Sequence, residues 1–154
     1  MNYPQSILFI VLSFSIVTAQ HLLPDSTLTP VDILSSCDSC VCVEGYAKTL
    51  RNVPEPVKKE VFAKYHISPQ AGQYVIDRLV SVELGGSNDP KNLWPIHNKT
   101  KSWNSHQKEM LSKRLLQLVC SKEISLKQAQ DAIAKNWIAA YKTYCEKPAA
   151  AKNK

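Results

Sequence analysis

Asp77 and Arg78 place an acid beside a base inside the apolar run VIDRLVSVELGG, Val75 to Gly86. Other residues of types that do chemistry follow: Glu83, Asn92, His97, Asn104 and His106. A carboxylate on a strand and an imidazole or amide on a following helix can supply ligands to one divalent cation. Such a cation neutralises the non-bridging oxygen and leaving group of a phosphodiester and acidifies its bound water. A base to activate that water is the second requirement. Arginine cannot be that base, because it has no acceptor lone pair and a pKa above ~12. Its fork of donors can instead clamp a phosphate. The same residues also read as ordinary ion pairs on an exposed strand. Adjacent strand side chains point to opposite faces, so Asp77 and Arg78 reach one site only where the strand ends or bulges.

These residues need elements to position them. PEPVKKEVFAKYHI (Pro54 to Ile67) begins with proline at a plausible helix N-terminus and carries Val57, Val61 and Tyr65 at i, i+4, i+8. QYVIDRLVSVEL is enriched in β-branched residues and reads as one or two short strands. GGSNDPKN is dense in turn formers. Trp103, Met110, Leu111, Leu115, Leu118 and Val119 recur at helical spacing. A last helix begins at Ser125, with Gln128 completing a capping box, and carries the stripe Leu126, Ala129, Ile133, Trp137, Ala140, Tyr141, Tyr144. The order is helix, small β element, loop, helical pair. Glu83 reads as a solvated strand residue, His66 as a histidine at a helix end, and Trp94 and Trp137 as core.

The 154 residues, 44% hydrophobic, suffice for one domain with a modest core. Residues 1–19 carry no charged side chain, and the apolar run Ile7 to Val17 followed by Val17-Thr18-Ala19 has the build of a cleaved signal peptide. A secreted or periplasmic protein, with no membrane attachment after cleavage, is expected. Residues 20–41 read as a Pro/Ser/Thr-rich leader and 146–154 as a basic tail. Five cysteines suit an oxidising compartment. CDSCVC has no matching downstream pair for a zinc site, so disulfides with one cysteine left over are expected. The formal charge of +6 favours polyanions, though many soluble proteins carry as much. Lys99, Lys101, Lys108, Lys113 and Arg114 would form a phosphate-contacting face if they cluster, or else an ordinary solvated helix face. Asn98-Lys99-Thr100 is a glycosylation sequon only in a eukaryotic host. No Gly-rich phosphate loop, Gly-x-Ser-x-Gly elbow or HExxH motif is present.

YVIDRLVSVELGGSNDPKNLWP, WNSHQKEMLSKRLLQLVC and ISLKQAQDAIAKNWIAAYKTY, with CVEGYAKTLR upstream, together resemble a family of exported bacterial HNH-like proteins. The resemblance runs from about Cys42 to Tyr144. It implies an α+β fold over residues 42–145, a small ββα-metal core with flanking helices, mostly helical by residue count. It implies a metal-dependent endonuclease using magnesium, manganese or zinc, with nucleic acid as partner. Asp77 would be the strand ligand and His106 the helix-borne ligand, with Asn104 or His97 as substitutes. Asn92 would brace the loop, and Lys101 and Lys108 would contact nucleic acid. A Cys42–Cys120 disulfide would join the two positions that the family marks. Where the family has histidine after the aspartate, this chain has Arg78, so catalysis is expected to be weakened or lost. A non-catalytic module binding nucleic acid or protein on the same scaffold is the competing expectation.

Overall fold

The computed structural model describes residues 22–48, 50–68, 73–98 and 100–146. The signal-peptide reading, Lys99 and all of the tail but Glu146 lie outside them. The elements run α1 (Asp38–Val41), α2 (Glu55–Lys64), β1 (Tyr74–Arg78), β2 (Leu93–His97), α3 (Ser105–Cys120) and α4 (Leu126–Tyr141). Short 3-10 turns cover Val82–Leu84 and Pro90–Asn92, and a π-turn covers Lys142–Glu146. This is a small α+β fold, as expected, with β1, β2 and α3 following one another in ββα order. Among the described residues no helix is long and apolar enough to cross a membrane.

The N-cap of α2 is Pro54, and a further proline lies in the first turn, where a missing N–H costs no helical bond. β1 and β2 pair antiparallel, with Tyr74 opposite His97 and Arg78 opposite Leu93. Only the first half of QYVIDRLVSVEL is strand; its partner is LWPIH, a stretch for which the sequence suggests no element. Pro95 obscured it, yet each strand of a two-stranded sheet is an edge, where proline is tolerated. In α3, Asn104 accepts from the N–H groups of His106 and Gln107, and Gln107 returns the bond in a capping box. Trp103 falls before the helix, at φ +60°, rather than on its stripe. Ser125 and Gln128 cap α4 reciprocally, as the sequence signalled. Asn136 interrupts α4 with extended backbone (φ −166°), and its Oδ1 recaps the continuation through the Ala139 N–H at 3.0 Å.

The core gathers Val61 and Tyr65 of α2, Leu93, Trp94 and Ile96 of β2, Leu111 and Leu115 of α3, and Leu126, Ile133 and Trp137 of α4. The segment read as a leader is sewn across this core. The Trp137 indole donates to Leu22 O at 2.8 Å, Thr29 Oγ1 donates to Leu93 O at 3.0 Å, and Gln130 donates to both Ser35 O and Leu84 O. An extended polar segment lying on a core must pair its backbone groups, and these side chains do so. Cys42 and Cys120 are joined, with a Cα separation of 5.6 Å, tying the end of α1 to the end of α3. Cys37 pairs with Cys40, leaving Cys145 free.

Candidate functional site

β1 ends at Arg78, so Asp77 and Arg78 both line one groove of about 660 Å³, together with Ser81, Glu83, His106 and Lys108. The strand end thus supplies the condition under which adjacent residues share a site. Two devices hold the loop after β1 in place. Asn92 is fully buried; its Oδ1 accepts from Val80 N at 3.0 Å, and its Nδ2 donates to Val80 O and Ser87 O at 2.8 and 2.9 Å. Gly86 passes so close to Val80 O that a Cβ there would lie 1.8 Å from it. Asn92 therefore braces the loop from below and does not line the groove.

At the centre of the groove, Lys108 Nζ lies 2.8 Å from Asp77 Oδ2 and also donates to Arg78 O. The Lys108 side chain is 2% exposed, that of Asp77 30%. Asp77 Oδ2 is itself buried and accepts no well-angled hydrogen bond, so the lysine charge is what balances it. An ammonium therefore stands against the carboxylate that the resemblance assigns to a divalent ion. This corrects the reading of Lys108 as a nucleic-acid contact: its ammonium is committed inward and has no surface to offer. Among the described residues, no three His, Cys, Asp or Glu side chains gather as metal ligands would. The donor set of the groove does not fit magnesium, manganese or zinc, because its one strand carboxylate is already neutralised by an internal cation.

Arg78 donates from Nε to Asn88 Oδ1 at 2.8 Å and from Nη2 to Leu50 O and Arg51 O, both at 2.9 Å. Burial lowers its pKa, while Asp77 and Glu83 pull it back up; an arginine remains cationic at neutral pH regardless. Its hydrogen bonds go to neutral oxygens, and Nη1 takes no part in them. The other three lysine and arginine residues of the groove are each matched to a carboxylate: Lys108 to Asp77, Arg51 to Glu83 at 3.8 Å, and Lys113 to Glu109 at 2.6 Å. The bond from Lys113 and its charge hold the Glu109 carboxyl below its ordinary pKa. Arg78 is thus the groove's surplus positive charge.

His106 is exposed at the start of α3 and lines the groove. Asn104, weighed as a substitute ligand, is the cap of α3. His97 sits at the end of β2, edge-on to Tyr74 with ring centroids 5.0 Å apart, and is not among the groove's residues. Lys101 is exposed in the bend before α3 and also lies outside the groove. Sequence reasoning missed Arg51 and Ser81, which the folding of the 50–52 and 81–84 segments brings in. No protein family, curated protein or solved structure matches the chain.

Proposed function

We propose that this is an exported nucleic-acid-binding protein on an HNH-like ββα scaffold whose metal-dependent cleavage has been lost. The observation that carries the reading is the Lys108 ammonium, buried against Asp77 where hydrolysis would need a cation and its bound water. Losing the general base alone typically costs about 10²–10⁴ in rate. Neutralising the metal-binding carboxylate as well removes the means of acidifying water. Binding is separable from cleavage, since phosphate recognition asks only for placed donors and positive charge. Arg78 supplies both, and the net charge of +6 supports association with a polyanion. Two disulfides, which persist in oxidising compartments, support export to the extracellular or periplasmic space.

The test is fluorescence anisotropy of labelled single- and double-stranded oligonucleotides, with a supercoiled plasmid incubated in parallel with magnesium, manganese or zinc. Binding that weakens with salt is expected, reduced about 10-fold in Arg78→Gln, the cost of one charge-assisted phosphate contact. The plasmid should stay intact. Failure to bind either oligonucleotide, or nicking that Asp77→Ala abolishes, would contradict the proposal.

A further inference from the structure

We propose that the Cys37–Cys40 disulfide is a second functional site, one that exchanges with external dithiols while Cys42–Cys120 keeps the fold closed. The groove below β1 plays no part in it. Cys37 and Cys40 bracket two residues, Asp38 and Ser39, on a single exposed turn. The two sulfurs differ. Cys40 is exposed and Cys37 half-buried. Cys37 Sγ accepts the Cys40 N–H at 3.2 Å and lies 3.5 Å from the Ser39 hydroxyl. Both contacts stabilise negative charge on Cys37 sulfur, which makes it the better leaving group.

An incoming thiolate therefore attacks Cys40 Sγ. A mixed disulfide forms between Cys40 and the reductant as the Cys37–Cys40 bond breaks, and the electron pair leaves on Cys37 as thiolate. The second thiol of the dithiol, deprotonated, then attacks the reductant's own sulfur in the mixed disulfide. The reductant closes into a disulfide, Cys40 departs as thiolate, and the two protein sulfurs take up the two protons released by the dithiol. Two electrons pass from dithiol to protein, and the reverse sequence reduces a substrate disulfide.

Opening this bond need not disturb the fold. The turn remains tied at both sides: Asp38 Oδ2 accepts from the Leu126 N–H at 3.3 Å, and Cys42 stays bonded to Cys120. Opening Cys42–Cys120 instead would release a link between residues 78 apart in sequence. The two bonds thus have different work, one holding distant elements together and the other confined to four residues.

Wild-type protein is exposed to dithiothreitol, quenched with acid at intervals, alkylated with a maleimide and mapped by peptide mass. Label should enter Cys37 and Cys40 at least about 10-fold faster than Cys42 and Cys120, with unchanged far-ultraviolet circular dichroism. Dithiothreitol reduction of insulin should be accelerated by the protein. The acceleration should be absent in Cys37→Ala/Cys40→Ala, which should retain the wild-type melting transition. Opening of both bridges at one rate would overturn the proposal. So would insulin reduction no faster with the wild type than with the double variant.

Discussion

Lys108 is costly to bury and costly to remove. Lys108→Met would leave the Asp77 carboxylate facing an apolar chain and the Arg78 carbonyl without its donor. Breaking a fully buried pair costs about 3–5 kcal/mol. Asp77 retains 30% exposure, so a smaller loss, about 2–3 kcal/mol, is expected in urea denaturation. Lys108→Met/Asp77→Asn should recover part of it, because no charge is then left unpaired; equal losses in both variants would contradict the pairing. Two other residues weaken the fold as pH rises into the alkaline range. Burial raises the pKa of the Tyr65 phenol, partly opposed by its hydrogen bond with Thr29, and burial also raises that of the Cys145 thiol. The unfolded chain releases these protons first, so their contribution is full below the unfolded values, about 10 and about 8.5. It is lost as pH rises through the folded ones. The melting temperature should fall with rising alkalinity. Cys145→Ala should flatten the early part of the fall and Tyr65→Phe the later part, and identical curves for all three proteins would contradict it. The place of Lys108 was legible in principle. It stands three, four and seven residues before Leu111, Ser112 and Leu115, on the buried stripe of α3. Its type drew it to the surface in the sequence reading, whereas its phase put it in the core.

At the scale of elements, the Cys42–Cys120 bridge carries a specific expectation. It closes a separation of 78 residues, for which chain-entropy reasoning gives about 4 kcal/mol. Cys42→Ala/Cys120→Ala should lose roughly that much stability in chemical denaturation, whereas Cys37→Ala/Cys40→Ala, closing a single turn, should lose little. Equal losses would mean that the bridges do not divide their work this way. The helices were readable because caps and stripes are local: Ser125 with Gln128, and Leu126 to Trp137 at helical spacing. Strand β2 was not, since LWPIH is a short apolar run whose partner lies across a turn-rich loop and whose proline argues against a strand. The same limit applied to residues 22–36. Their hydrogen bonds to Tyr65, Leu93 and Gln130 join positions far apart in the chain, which no local pattern reports.

For the molecule as a whole, a ββα arrangement presents a groove in which every carboxylate already has a cation and Arg78 supplies the surplus charge. On the proposed function, such a groove would retain a phosphate chain without cleaving it, while the Cys42–Cys120 bridge keeps a small core closed. Nucleic-acid affinity should accordingly fall with salt, as counterion release requires, and added divalent metal should weaken it as any competing cation does, never strengthen it. The most direct measurement is calorimetric titration of manganese into the disulfide-intact wild-type protein and into Asp77→Asn. If the Lys108 ammonium takes the cation's place, the two titrations should coincide, with no component that depends on Asp77. A saturable isotherm in the wild type that disappears in Asp77→Asn would contradict the account, because the carboxylate would then be free to hold a metal ion.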